Sequence, residues 1–113
     1  MRQRHSLSSE LLPGTLEMLI LKTLTRGPAH GYAIARHLER VSGDVLRIGE
    51  SSLYPALQRL LLHDWVQAGW GESELKRRAR IYRITPAGRK RLAQEAEGFG
   101  RLAGAIAAVL EAV

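Results

Sequence analysis

The stretch that decides the fold is Glu50-Ser-Ser-Leu-Tyr-Pro-Ala-Leu-Gln-Arg-Leu-Leu-Leu-His63. Apolar residues recur along one side at helical spacing: Leu53, Leu57, Leu60 and Leu61. The pattern predicts a helix that begins near Ser51 or Ser52. With Ser52 as the N-cap, Pro55 takes the third helical position, where no intrahelical N–H bond is needed. The other side carries hydroxyl, amide and basic groups: Ser51, Ser52, Tyr54, Gln58, Arg59 and His63. Such groups can hydrogen-bond to base edges and phosphates.

A β-hairpin is predicted directly after this helix. Residues 65–70 alternate as a strand does, residues 71–78 form a turn region, and residues 79–84 return as a second strand. The turn ends in the basic tripeptide Lys76-Arg77-Arg78. A helix with hydrogen-bonding side chains beside a basic β-ribbon is the arrangement that a winged helix-turn-helix presents to DNA.

A first helix is predicted from Pro13, since the first helical turn tolerates proline, to Arg26-Gly27-Pro28. It is apolar on more than one side, and Met18 and Leu21 extend the second apolar side. A helix with two apolar sides must be covered on both, so we expect another subunit to supply the second cover.

A second helix is predicted roughly from Gly31 to Ser42, with an apolar stripe at Ile34, Ala35, Leu38 and Val41. A turn at Ser42-Gly43-Asp44 and a short strand over residues 45–48 would connect it to the third helix.

The last helix is predicted to begin at Thr85-Pro86, an N-cap followed by proline at the first helical position. Apolar or small residues then recur at alternating spacings of four and three: Leu92, Ala96, Phe99, Ala103, Ile106, Leu110 and Val113. This heptad pattern favours pairing between helices, most simply in a homodimer, although the same stripe would also serve for packing on its own domain. The predicted fold is mainly α with a small β-hairpin. It comprises a flexible arm (1–10), a winged helix-turn-helix (11–85) and a coiled-coil-like dimerisation helix (86–113).

The charge of the chain indicates an anionic partner. The formal net charge is +6 and the pI is about 10.5. Eight basic residues and no acidic residue lie between Lys76 and Arg91. This concentration favours a surface for double-stranded DNA, although a solvated basic loop would have the same composition.

No catalytic, metal-binding or cofactor-binding pattern is present. The chain has no cysteine, and its four histidines lack the spacing of a metal site. The glycine pattern over residues 98–103 falls inside a helix and follows no strand, so it does not indicate a dinucleotide site. Residues 16–24 are too short an apolar run to cross a bilayer, and no signal peptide precedes them. We therefore expect a cytoplasmic protein that is not an enzyme, holds no cofactor or metal, and does not enter the membrane.

Four segments resemble the PadR family of bacterial transcriptional regulators, of the short kind with a single C-terminal helix. They are Leu16-Glu-Met-Leu-Ile-Leu-Lys-Thr-Leu24, Gly27-Pro-Ala-His-Gly-Tyr-Ala-Ile34, Ser52-Leu-Tyr-Pro-Ala-Leu-Gln-Arg-Leu60 and Arg80-Ile-Tyr-Arg-Ile-Thr-Pro-Ala-Gly-Arg89. The resemblance implies a homodimer of winged helices, held by the last helix packing with the first, that represses a neighbouring gene. Such genes commonly serve detoxification, drug efflux or membrane transport. Glu50 departs from the family pattern, because many relatives have an uncharged residue there.

The expected site residues fall into two groups. DNA contacts are expected from Tyr32, Ser51, Ser52, Tyr54, Pro55, Gln58, Arg59, Lys76, Arg77, Arg78 and Arg80. Dimer contacts are expected from Met18, Leu21, Leu92, Ala96, Phe99, Ala103, Ile106 and Leu110. In ligand-responsive relatives an aromatic residue of the last helix lines a pocket at the dimer interface, and Phe99 lies at the matching place. Two alternatives therefore accompany the predicted repressor. One is a ligand-sensing regulator with a small hydrophobic or aromatic effector near Phe99, and the other is a basic module that binds nucleic acid without sequence preference.

Overall fold

The structure, a computed structural model, describes residues 13–72 and 76–113. The elements in chain order are α1 (Pro13–Leu24), β1 (Ala29–His30), α2 (Gly31–Val41), α3 (Glu50–Leu62), β2 (Val66–Glu72), β3 (Arg78–Ile84) and α4 (Pro86–Glu111). The strands form one antiparallel sheet in the order β1-β3-β2. This is a winged helix-turn-helix followed by a C-terminal helix, so the predicted fold class is confirmed. The arm expected at residues 1–10 lies outside the described residues.

One hydrophobic core joins α1, α2 and α3 to the sheet. Its most deeply buried large side chains are Ile20, Leu21, Leu24, Ile34, Leu57, Leu60 and Val66. Leu21 is only 1% exposed and packs inside this core, so the chain itself provides the cover that we expected from a second subunit. Met18 is also buried within the single chain. Leu21 therefore has almost no exposed surface with which to contact a partner subunit.

Hydrogen bonds from side chains fix the beginnings of α2 and α4. His30 Nδ1 accepts a bond from the backbone N–H of Ala33. Thr85 Oγ1 accepts from the N–H of Gly88 at 3.0 Å and donates to the carbonyl of Asp64 at 2.7 Å. A Cβ at Gly88 would lie 2.1 Å from the Trp65 carbonyl oxygen, so only glycine lets α4 approach the base of the hairpin this closely. The start of α4 at Thr85-Pro86 is as predicted.

The connection between α2 and α3 differs from the prediction. Residues 45–48 form no strand, because their N–H groups do not bond to a neighbouring strand; that of Val45 bonds to the Ser42 carbonyl and two others bond to side chains. Ser42 Oγ accepts from the N–H of Leu46, and Glu39 Oε2 accepts from the N–H of Ile48. The third strand of the sheet is instead β1, which the sequence did not reveal.

The start of α3 also differs from the prediction. The N-cap is Gly49, which has no side chain to accept a bond, and the helix begins at Glu50 instead of after Ser52. Pro55 consequently lies inside the helix and not in its first turn. Proline has no N–H to donate to the carbonyl four residues earlier, that of Ser51. The exposed position of Pro55 places this break on the outer face of α3.

The last helix has two parts with different surroundings. Near its beginning, Leu92 packs against the core. Beyond it, the helix exposes its large apolar residues, which are Phe99, Leu102, Ile106, Val109 and Leu110, and Val113 is exposed just after the helix ends. None of the helices in residues 13–72 and 76–113 has the combination of length and apolarity that a membrane crossing requires.

Candidate nucleic-acid interface

Burial along α3 fixes which of its faces is turned outward. Leu53, Ala56, Leu57 and Leu60 are buried. An exposed ridge at four-residue intervals lies on the other side and consists of Glu50, Tyr54, Gln58 and Leu62. Ser51 and Pro55 lie beside this ridge and are exposed, and Ser52 is half-buried. The predicted polar face of the helix is therefore accessible to a ligand.

A groove of about 490 Å³ runs between α3, the first turn of α2 and the hairpin. The side chains of Tyr54 and Gln58 line it from α3, and Tyr32 lines it from α2. Trp70, Arg78 and Arg80 line it from the hairpin. The groove thus brings together these six residues from α2, α3, β2 and β3, and five of them were predicted as site residues from the sequence.

The ring of Tyr54 packs against the beginning of α2. A Cβ at Gly31 would lie 3.0 Å from Tyr54 Oη and 3.2 Å from Cε1, so the glycine makes room for the ring. Tyr54 remains 45% exposed, and Tyr32 next to Gly31 is 65% exposed. The close contact explains why Gly31-Tyr32 and Tyr54 belong to one surface although they are distant in the chain.

Aromatic rings support two of the basic side chains on the hairpin. The guanidinium carbon of Arg78 lies 4.3 Å from the centroid of the Trp70 ring, and that of Arg80 lies 5.8 Å from the Tyr82 ring. Strand pairing places Trp70 opposite Arg80 and Glu72 opposite Arg78. Burial raises the pKa of Tyr82, and the neighbouring Tyr54 adds to this, although Arg80 opposes it.

The tip of the hairpin carries further charge. Lys76 and Arg77 are exposed, and Lys76 has a positive φ of 60°. Residues 73–75 of the turn lie outside the described residues. Lys76, Arg77, Arg78 and Arg80 together form a basic surface that we call the wing.

Arg59 occupies a different environment from the other predicted contacts. Its guanidinium forms an ion pair with Glu17 of α1. The pair connects α3 to α1 and directs Arg59 away from the exposed ridge. The charge of Arg59, which was expected to contact DNA, is therefore largely compensated within the fold.

Two basic clusters on and beside α2 were not identified from the sequence. Arg36 Nη1 lies 3.4 Å from the Tyr32 hydroxyl, one helical turn away. Arg26 and Arg40 both approach His37 Nδ1, at 2.9 Å and 3.4 Å. Partial burial and these two cations lower the pKa of His37. The four-residue spacing of Tyr32 and Arg36 was a usable signal, whereas the approach of Arg26 to His37 required the tertiary structure.

A second groove, of about 250 Å³, lies between α1 and α4. Thr15 and Met18 line it from α1, and Gly98, Phe99 and Leu102 line it from α4. Phe99 is 51% exposed beside this groove. Within the described ranges, no group of three histidine, aspartate or glutamate side chains is placed to hold a metal ion.

Comparison with known proteins identifies the family. Residues 20–94 match the PadR-like family of transcriptional regulators. The chain belongs to this family. The resemblance seen in the sequence motifs is therefore confirmed, and the regulators of this family are not enzymes.

Solved structures of PadR-like and related regulators have the same fold. A transcriptional regulator from Clostridium thermocellum is 31% identical, with a TM-score of 0.75, over 82% of this chain and 90% of that one. A PadR family regulator from Eggerthella lenta is 30% identical, with a TM-score of 0.74, over 88% of this chain and 85% of that one.

A curated relative is longer than this chain. An uncharacterized 37.1 kDa protein of transposon TN4556 from Streptomyces fradiae is 44% identical over 90 residues. The match covers 80% of this chain but only 24% of that protein, so the chain spans about a quarter of its length.

Proposed function

We propose that this PadR-like regulator is a sequence-specific DNA-binding repressor that acts as a homodimer on a palindromic operator. The observation that carries the proposal is the groove shared by α3, the start of α2 and the wing. It combines hydrogen-bonding side chains on an exposed helix with basic side chains on an adjacent β-ribbon, the two kinds of contact that specific DNA binding requires.

In this proposal α3 enters the major groove and reads the bases. Gln58 has the donor and acceptor geometry that suits adenine, and the Tyr54 hydroxyl can bond to a base or a phosphate. Ser51 and Ser52 contribute hydroxyl groups in the first turn, and Pro55 packs against the surface of the DNA. Arg59 reads no base in this proposal, because its guanidinium is paired with Glu17 and its charge is largely compensated there.

The wing and the start of α2 position the protein on the phosphates. Lys76 and Arg77 at the tip, with Arg78 and Arg80 stacked on aromatic rings, neutralise backbone charge near α3. Tyr32 donates from the first turn of α2 to a phosphate beside the same groove. These contacts supply affinity without sequence preference.

Dimerisation is proposed to occur through the exposed part of α4. The helix has 26 residues, about 39 Å at 1.5 Å per residue. Its exposed apolar residues include Phe99, Ile106 and Leu110, the last of them 78% exposed, and a second copy of the helix would remove them from water. Residues 11–85 then form the DNA-binding domain and residues 86–113 the dimerisation helix. In the dimer, two copies of α3 reach half-sites about 34–36 Å apart.

Binding to DNA duplexes tests this function. An operator obtained by selection from random duplexes is compared with a scrambled duplex of the same composition. Tyr54→Ala or Gln58→Ala is expected to lose roughly 1–3 kcal/mol on the operator and less on the scrambled duplex. Equal losses on both duplexes would favour a basic module that does not read sequence.

The groove beside Phe99 favours a second candidate function, the sensing of a small aromatic effector. A planar compound could stack on the half-exposed ring, and glycines at 98 and 100 leave space beside it. Such a compound would release DNA only if the dimer had one conformation that binds DNA and one that does not, and if the compound bound the second more tightly. A screen of planar drugs and phenolic acids by operator release, repeated with Phe99→Ala, tests this. Equal release of both proteins would exclude Phe99 as the sensor.

A further inference from the structure

Glu50 occupies an unusual position for an acidic residue. It is the first residue of α3 and begins the exposed ridge that continues through Tyr54 and Gln58. The helix begins at Glu50 and not near Ser51 or Ser52 as predicted, which brings Glu50 into the helix and onto this ridge. Its carboxylate forms no hydrogen bond or ion pair with any residue in the described ranges. No cationic side chain in that part of the chain is therefore paired with this carboxylate.

An acidic group at this position is costly in any complex with DNA unless it finds a donor. The N-terminal residues of a recognition helix are those that approach base edges in the major groove. There a carboxylate is repelled by phosphates and loses water, so an unpaired charge is strongly unfavourable. A carboxylate only accepts hydrogen bonds, and it must therefore meet an amino group of a base.

Only two bases present an amino group in the major groove. Cytosine shows N4 without an adjacent acceptor of its own, whereas adenine shows N6 beside the acceptor N7. Guanine presents two acceptors, and thymine presents an acceptor and a methyl group. The expected order of preference at a base that faces a carboxylate is cytosine, then adenine, with guanine and thymine disfavoured.

We infer that Glu50 is a specificity-determining residue that accepts a hydrogen bond from the N4 amino group of a cytosine in each operator half-site. The inference rests on the proposed function, since it requires α3 to enter the major groove. It assigns to Glu50 the selection of one base and the rejection of the bases that present only acceptors.

The ridge also indicates where this cytosine lies. Glu50 and Gln58 are eight residues apart, about 12 Å along a helix that rises 1.5 Å per residue. Base pairs are spaced about 3.4 Å apart, so the two side chains reach positions separated by at most roughly three to four base pairs. The half-site is expected to contain a cytosine read by Glu50 and, within this distance, an adenine read by Gln58.

A purely structural role makes a different prediction. An acidic residue in the first turn interacts favourably with the helix dipole. If Glu50 did only this, its replacement would lower the thermal stability of the protein but leave the base preferences unchanged. Measuring both quantities separates the two roles.

The test is selection from a randomised duplex pool with wild type and Glu50→Gln, followed by binding titrations on single-base variants of the selected site. Wild type is expected to prefer cytosine over thymine about tenfold at one position of each half-site. The amide of Glu50→Gln can donate as well as accept, so the preference is expected to move to adenine at that position. The position read by Gln58 should not change. Circular dichroism confirms that the variant is folded, and Glu50→Asp offers a second variant that keeps the charge.

Glu72→Gln is the matched control, because Glu72 is exposed on the hairpin and its replacement changes the net charge equally. This control should leave every base preference unchanged. The inference would be overturned if Glu50→Gln kept the cytosine preference, or if it bound all duplexes more tightly by one common factor. A wild type without preference at any position would refute the proposed function itself.

Discussion

Replacement of Lys76, Arg77 and Arg78 by alanine is expected to weaken DNA binding and to flatten its dependence on salt. All three side chains are exposed, and the stacking of Arg78 on Trp70 restricts its positions beside the groove. Each phosphate contact contributes about 0.9 to the slope of log affinity against log salt, so three contacts contribute at most about 2.7. When the salt concentration rises from about 50 to about 200 mM, one such contact accounts for an about 3.5-fold loss of affinity. Three contacts account for a loss of about 40-fold.

Fluorescence anisotropy titrations of a labelled duplex at four or more salt concentrations measure this slope. The control removes the same types of charge elsewhere by replacing Lys22, Arg89 and Arg101, which are exposed on α1 and α4. If contacts with phosphates cause the effect, the wing variant has the smaller slope and the control keeps a slope near that of wild type. An unchanged slope in the wing variant, or an equal decrease in both variants, would refute the assignment of phosphate contacts to the wing.

Three further predictions concern assembly, packing and pH. Leu110→Lys is expected to produce folded monomers by light scattering, because it places a charge on the exposed apolar part of α4; an intact dimer would contradict the proposed interface. Gly88→Ala should lower the free energy of unfolding by about 1–3 kcal/mol in thermal melts, since its Cβ would meet the Trp65 carbonyl at 2.1 Å; an unchanged melting temperature would refute this contact. Burial, Arg26 and Arg40 lower the pKa of His37, so the unfolded chain binds more protons, and stability should fall as the pH drops through about 6.5. His37→Gln should lose part of this pH dependence in denaturant titrations; the same dependence in the variant would exclude His37 as a cause.

Local patterns were sufficient to predict most elements of the fold. The buried residues of α3 recur at helical spacing, and Thr85-Pro86 carries its own start signal through the hydroxyl and the proline. These features depend on residues close together in the chain. The two faces of α3 and the start of α4 therefore followed from the sequence.

Features that depend on tertiary contacts did not follow from the sequence. β1 has two residues and exists because Ala29 and His30 pair with Tyr82 and Ile81 of β3. Arg59 meets Glu17 from 42 residues away, which moved a predicted DNA contact into an internal ion pair. No local signal reports either contact.

The prediction for α1 was wrong at Leu21 for a related reason. The helix has two apolar sides, but the core of a single chain already buries Leu21. The apolar surface that remains exposed lies on α4 instead. Periodicity identified the apolar residues correctly and did not tell which neighbour would cover them.

The ratio of affinities for a selected operator and for a scrambled duplex tests sequence-specific binding most directly. It should be measured with wild type at one physiological salt concentration, with the stoichiometry determined in the same titration. The dimer is expected to bind the operator at least about 10³-fold more tightly than the scrambled duplex, with one dimer per palindrome. Equal affinity for the two duplexes, with binding that depends on salt alone, would contradict it.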